Sequence, residues 1–395
     1  MEERWNMGSI IFFIHDLSLT GVAGSTLGLA RHLAKANWDV EIVTVTATGI
    51  ERGGALSVTP LQPAHSGNRA ATLRNVLPAL RRHLRRRRPD IVFSAGNHAH
   101  LACWAATRGL ATKLVYRISN DPRMRGVGAP QRQFTRFARQ VKFTLLANGA
   151  DRLVLVSPHL SEIPVLARAL VRGRATIITN GVDLERARAG MLAPCPHPWL
   201  HDDGPPVVLA IGRLAEQKNF PTLIDAVARA NTVRPHRLII LGDGAAKHRA
   251  GLLALAERRN IADMVNLPGT DPNPFAYLAR ARLFVLPSWR EGASNVLLEA
   301  LACGVPVVAS RTAGNARGVL DEGRHGVLVD PGDAAGMADA ILRQSDPRTA
   351  LRPGERARAF TIEQTHAAYT DMLNGLQDKQ LETLPAKTLD SALAG

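Results

Sequence analysis

The chain is poor in the residues that build disulfide frameworks and metal sites. Its 395 residues include three cysteines, Cys103, Cys195 and Cys303. They form an odd, widely spaced set without metal-ligand spacing, which points to a reduced, cytosolic compartment. Cys303 is expected to pack as a small apolar residue behind a helix. There is no Asp-any-Asp pair, so the neighbours Asp202 and Asp203 read as linker composition and no metal site is expected. Aromatic residues make up 5% of the chain and are scarce where arginines gather. No recognised nucleic-acid module occurs, so nucleic acid is not expected as a partner. No stretch approaches the roughly 20 apolar residues of a membrane span. Ile10 to Ile14 is a short apolar run followed by His15 and Asp16, a strand entering a loop rather than a secretory signal. These absences leave a cytoplasmic protein, free or peripheral on a membrane.

The length is comfortable for two domains, each with its own core. Charge divides them. The net charge is +15; residues 1–200 hold 27 Lys plus Arg against 12 Asp plus Glu, giving 27 − 12 = +15, and residues 201–395 hold 22 of each. Such a field draws the first half toward an anionic partner. Arg81, Arg82 and Arg85 to Arg88 form the densest cationic run, on a helix that Pro78 should kink and Pro89 should end. A second basic helix is expected from Gln131 to Leu146, with Phe134, Phe137, Val141 and Leu145 at helical spacing and Arg132, Arg136, Arg139 and Lys142 on the other faces. It reads either as a helix lying on an anionic membrane or as a core-facing helix with a solvated basic face.

The segment Leu286–Ser310, LPSWREGASNVLLEALACGVPVVAS, organises the second half. It reads as the end of a buried strand, a polar loop with Glu291 and Gly292, a short helix capped by Ser294 and Asn295, and a second strand after Gly304 and Pro306. The free amides of Ser294, Asn295 and Val296 at the helix start would attract a phosphate. Glu291 and Glu299 would repel that phosphate unless they face neutral hydroxyls on either side of it, as in a nucleotide diphosphate sugar. The alternative is a surface glutamate plus a helix-stabilising one. Strand Val207–Ile211 ends in Gly212, whose bare backbone admits a ligand, and Arg213 and Lys218 follow as a candidate diphosphate clamp.

The motifs GRLAEQKNF, LGDG and PSWREGASNVLLEALACGVPVVAS, with its Glu, seven residues, Glu signature, resemble those of the retaining glycosyltransferases of family 4. The resemblance is strong over 207–332 and one of layout over the first 190 residues. It implies an α/β chain of the GT-B type: two Rossmann-like doubly wound domains facing across a cleft. The expected divisions are an acceptor-binding domain at 1–190, a linker at 191–206, a nucleotide-sugar-binding domain at 207–360, a helix at 361–377 crossing back to the first domain, and a disordered tail at 378–395. Thr361 with Gln364 reads as the capping box that starts the crossing helix.

What the resemblance implies about chemistry is transfer of a hexose-type sugar from a nucleotide diphosphate sugar to an acceptor hydroxyl, with retention and without metal or cofactor. The acceptor would be a glycan or lipid-linked glycan in bacterial exopolysaccharide, lipopolysaccharide or capsule assembly. Arg213 and Lys218 would stabilise the leaving diphosphate, Glu291 would position the hexose, Glu299 would hold the ribose, and Gly269 would lie beside the base. Two rivals are a GT-B epimerase or phosphorylase and a noncatalytic basic binding protein. In the first half, Gly21 keeps the place of one of the family's paired glycines. Gly21 and Gly24 either admit a phosphate or only form a turn. His98, Ser119 and Asp121 are candidate sugar or acceptor contacts, with His98 favoured over His100 because alternate residues of an extended chain point opposite ways. Ser119 stands where many members have histidine, and Thr312 to Arg317 replaces the usual Gly-Gly-x-x-Glu.

Overall fold

The computed structural model describes residues 7–18, 20–62, 69–120 and 133–381. It contains two all-parallel sheets. The first comprises β1 (Ser9–Ile14), β2 (Asp39–Thr46), β3 (Ser57–Gln62), β4 (Ile91–Ser94), β5 (Lys113–Ile118), β6 (Arg152–Leu155) and β7 (Ala175–Ile177), in the order β3-β2-β1-β4-β5-β6-β7. The second comprises β8 (Val207–Ile211), β9 (Arg237–Leu241), β10 (Val265–Gly269), β11 (Leu283–Leu286), β12 (Val307–Ser310) and β13 (Val327–Val329), in the order β10-β9-β8-β11-β12-β13. In both, the chain steps outward from the first strand and then returns to its other side. Each sheet therefore has a topological switch point, between β1 and β4 and between β8 and β11, where open α/β sheets bind ligands.

Alternation along each central strand feeds two cores. In β1, Ile11 and Phe13 face one apolar cluster and Ile10, Phe12 and Ile14 the other. In β8, Val208 and Ala210 face one layer and Val207 and Leu209 the opposite one. Continuous apolar strands of this kind belong inside parallel sheets covered by helices on both faces.

Three elements differ from the sequence-based expectation. Residues 48–68, whose Gly, Pro and Ser content predicts a connection, contain β3, which carries Pro60; proline is accepted because β3, among the described strands, pairs only with β2 at the sheet edge. The sequence predicts the last strand of the first sheet at Ile177 to Gly181; it is Ala175–Ile177, so the chain has left the sheet before Asn180. Gly21 and Gly24 lie in the first turns of helix Gly21–Lys35 rather than in a loop, with Thr20 capping through its hydroxyl to Ala23 N at 3.3 Å. Helix Arg69–Arg87 includes Pro78 and ends before Pro89.

The crossing helix, Ile362–Leu381, starts at the reciprocal pair Thr361 N to Gln364 Oε1 and Gln364 N to Thr361 Oγ1, both 3.3 Å. It reaches the first domain, where Tyr369, Leu373 and Leu376 complete the cluster around Phe12 and Phe93. The two connections between the sheets run side by side: Val182 N donates to Phe360 O at 2.8 Å and Ile362 N to Val182 O at 3.0 Å. A Cβ on Gly181 would stand 2.3 Å from Thr361 O, so only glycine lets them approach. Beyond Gly181, Val182 joins the second domain's apolar cluster. Residues 382–395 and Asp121 lie outside the described residues.

Candidate active site

The carboxyl ends of β8 and β11, adjacent in the sheet, meet through their loops. After β8 the chain passes Gly212, turns through Glu216–Lys218, and takes a left-handed conformation at Asn219 (φ 54°) before helix Phe220–Asn231. Asparagine tolerates that conformation better than most residues. The turn folds Lys218 back over Gly212, where a Cβ would stand 2.9 Å from Lys218 Cε. The missing side chain is what lets Lys218 cross to Glu291: Nζ to Oε1 is 2.6 Å, with the lysine and glutamate side chains 19% and 9% exposed. Ser288 Oγ donates to the same oxygen at 2.6 Å. Gln217 Nε2 donates to Arg290 O at 2.7 Å, and Trp289 N to Gln217 O at 3.0 Å. Two motifs more than seventy residues apart are thus stitched into one rim.

The two cations expected as a clamp have different surroundings. Lys218 is paired with Glu291, whereas Arg213 is exposed and makes no ion pair with another described residue. The short helix is Asn295–Ala302, with Ser294 in the N-cap position. Ser294 makes no capping bond through its side chain; its amide instead points to Asn315 Oδ1 at 3.4 Å. Asn315, from the segment that departs from the family pattern, thus serves the helix start with a neutral amide. Val296 packs on the apolar cluster beneath. Glu299, one turn on, keeps some exposure, but burial pushes its carboxyl up to about 6, with Arg186 acting in the opposite sense. Gly269 ends β10, has φ 95°, and accepts a 2.6 Å bond from Gly242 N. It lies along the same rim, on the sheet's edge strand.

The first domain presents its own carboxyl rim to this one. Asn295 Nδ2 reaches Gly21 O at 3.5 Å and Ser25 Oγ at 3.4 Å, and a Cβ on Gly21 would crowd that amide at 3.1 Å. Gly21 thus admits a protein side chain to the helix start. Gly292 N donates to Asn120 Oδ1 at 3.0 Å, and a Cβ on Gly292 would collide with Ser119 O. Ser119 is held by Asn97, whose Oδ1 accepts from Ser119 N at 3.0 Å. His98 is exposed in the turn before helix His100–Thr107, whereas His100 is buried, stacked on Tyr116 and bonded to Ser94 Oγ at 2.8 Å. The two histidines thus differ in burial. The segment is a turn running into a helix rather than the expected extended chain.

A chain of polar contacts escaped the sequence reading. Buried Arg117, from β5, donates to Tyr369 OH of the crossing helix at 3.2 Å and to Asn180 Oδ1 at 2.8 Å. Asn180 Nδ2 in turn donates to Asn295 Oδ1 at 2.6 Å. The crossing helix is thereby coupled to the first residue of the short helix. No local pattern could announce it, since its links join residues 63 to 252 positions apart. Among the described residues no group of three His, Cys, Asp or Glu side chains is placed to hold a metal ion.

Comparison with known proteins decides the family. The sequence profile for Glycosyltransferase Family 4 matches residues 19–186, and that for Glycosyl transferases group 1 matches residues 205–346. The N-acetylgalactosamine-N,N'-diacetylbacillosaminyl-diphospho-undecaprenol 4-alpha-N-acetylgalactosaminyltransferase of Campylobacter jejuni is 30% identical over 272 residues, covering 68% of this chain and 71% of that one. The chain belongs to glycosyltransferase family 4. The lipopolysaccharide core biosynthesis glycosyltransferase LpsE of Rhizobium meliloti is 38% identical over 168 residues, 42% of this transferase and 48% of LpsE. Among solved structures, sucrose-phosphate synthase from Thermosynechococcus elongatus superposes with a TM-score of 0.78 at 22% identity, covering 94% of this chain and all of that one. Anabaena HepE in complex with UDP and glucose gives 0.74 at 20%, covering 93% and 100%. These likenesses show that the transferase has the GT-B fold.

Proposed function

We propose that this glycosyltransferase moves a hexose-type sugar from a nucleotide diphosphate sugar to a hydroxyl of a glycan or lipid-linked glycan, with retention of anomeric configuration. The observation that carries the reading is the Lys218–Glu291 pair, set at the switch point beside exposed Arg213 and the start of the Asn295–Ala302 helix. As the bond from the anomeric carbon to the diphosphate oxygen breaks, negative charge grows on the diphosphate. Arg213, Lys218 and the helix amides are the groups that stabilise it without a metal. The acceptor oxygen bonds the anomeric carbon, and its proton passes to the departing diphosphate, so no separate base is required. Glu291, oriented by Ser288, then addresses hexose hydroxyls, and Glu299 the ribose.

The relatives in Campylobacter and Rhizobium support a product in bacterial surface or lipid-linked glycan assembly; the proposal places the reaction at the cytoplasmic face of the membrane. A peripheral membrane contact is supported by the basic helix Gln133–Asn148: Val141 and Leu145 are 41% and 67% exposed, while Phe143 and Ala147 face the core. The apolar stripe expected at Val141 and Leu145 is therefore not the core-facing side. The test is transfer from a panel of nucleotide sugars to lipid-linked acceptors with chelator present, with product anomers assigned by NMR. An inverted product removes the retaining mechanism. A donor epimerised without acceptor favours the epimerase.

A further inference from the structure

A cavity of about 560 Å³ lies at the opposite end of the second sheet from the cleft. It is walled by the connection before β8 and by the turns that lead into β11 and β12. Its polar lining is dominated by arginines from three parts of the fold: Arg234 after helix Phe220–Asn231, Arg280 and Arg282 before β11, and Arg352 after helix Ala334–Ser345. Trp199 supplies an apolar wall.

Three of these guanidiniums are fixed by neutral acceptors. Arg234 donates to Leu342 O at 2.9 Å and Ser345 Oγ at 2.8 Å. Arg280 donates to Ala276 O at 2.9 Å, and Arg282 to Ser345 O at 2.7 Å. Carbonyls and a hydroxyl orient the forks but leave their charge in place. Nε of Arg234 is buried and has no hydrogen-bond partner among the described residues. Arg352 is exposed. The one acid in the lining, Asp202, is held by Arg237 through both carboxylate oxygens at 2.6 and 2.7 Å. Nearby Asp346, which feels Arg234, is gripped by Arg348 at 2.7 Å. Both acids therefore have a cation of their own, and no carboxylate among the described residues is bonded to the four lining arginines. Gathering like charges around a concave site costs free energy unless an anion completes it, and fixed guanidinium forks match phosphate oxygens.

We propose that this cavity is a second anion site, separate from the donor cleft, which takes a soluble phosphate-bearing small molecule. Its occupant would fasten the interdomain connection against the amino ends of β8, β11 and β12. The proposal does not depend on the assignment of the donor cleft.

The probe is pyrophosphate, titrated calorimetrically into the full chain at constant ionic strength set with sodium chloride. Two classes of site are expected. Arg352→Glu, and separately Arg282→Gln, should weaken one class about tenfold or more while leaving transfer in the absence of pyrophosphate unchanged. Arg213→Gln combined with Lys218→Ala should spare that class and weaken the other. Arg352 is exposed, so its variant reads out even where loss of the Arg282 bond to Ser345 unsettles the fold. A pyrophosphate isotherm unaltered by both cavity variants, or a single site abolished by the cleft variant alone, would each overturn the proposal.

Discussion

The two carboxyl rims that meet in the cleft are built differently. The second domain's rim is internally bonded: Lys218, Glu291 and Ser288 share one oxygen, and Gln217 ties the β8 loop to the β11 loop. The first domain offers neutral groups, a backbone carbonyl at Gly21, the amide of Asn120 and the hydroxyl of Ser25. In the proposed function the charge that meets a diphosphate is set within one domain, where its geometry would not depend on how the two rims are apposed. The other rim docks onto it through contacts weak enough to part, each worth about 0.5–1.5 kcal/mol. On the proposed function, parting of the rims would admit donor and their closure would exclude water without disturbing the charged groups.

The comparison is broken most severely at the charged rim. Lys218→Ala removes a cation and leaves Glu291 unpaired, so kcat for transfer should fall about 10²- to 10³-fold, on the order of 3 kcal/mol. A loss of less than tenfold in steady-state rates would show that the pair does not serve the transition state.

Glu299 gives the next effect, through pH. Its carboxyl stands at about 6 against an ordinary 4.5. Between those values the folded chain retains a proton that the unfolded chain has lost, so stability should fall as pH rises through that window, by about 2 kcal/mol. Donor affinity should move the other way, because a carboxylate accepts ribose hydroxyls better than a carboxylic acid. Denaturant midpoints and donor titrations from pH 4.5 to 7 check both slopes, and Glu299→Gln should flatten them together.

The docking rim is sharpened by Asn180→Ala, which cuts the path from Arg117 to Asn295. Losing a bond to a buried charge costs about 1.5–3 kcal/mol. It should appear as a raised donor KM and a lower Tm, with the Lys218–Glu291 pair intact.

A smaller effect concerns the basic half. Arg81 is spent on Ala105 O and Arg108 O, and Arg87 on Glu41 and Asp39. Charge reversal should therefore target Arg82, Arg85 and Arg88, leaving those two in place. Each reversed arginine should weaken sedimentation with anionic liposomes at low salt, with about 1 kcal/mol attached to each charge. Unchanged sedimentation would remove this face from the membrane proposal.

Much of the architecture was legible because parallel sheets advertise themselves as apolar runs. The strand Val207–Ile211 is expected as the structure has it, and the apolar run Ile10 to Ile14 falls one residue short of β1. Thr361 and Gln364 announced the crossing helix through local hydrogen-bonding chemistry. Edge strand β3 was hidden by Pro60 and by the half-burial of all but one of its residues. The helical start at Gly21 was hidden because glycine argues for turns, although here it makes room for Asn295. The motif residues gave the positions of Lys218 and Glu291 but not their pairing, which depends on a loop folding across Gly212. Arg117 carried no signal, and Asn180, which matches the family's usual closing turn, gave no sign of its bonds, since both roles arise only when the chain crosses between domains twice.

A crystal structure of the protein with UDP tests the central claim most directly. The account predicts the diphosphate within hydrogen-bond reach of Arg213, Lys218 and the amides at the start of the Asn295–Ala302 helix, with the ribose toward Glu299. A diphosphate bound elsewhere, with Lys218 and Glu291 untouched by the ligand, would contradict it.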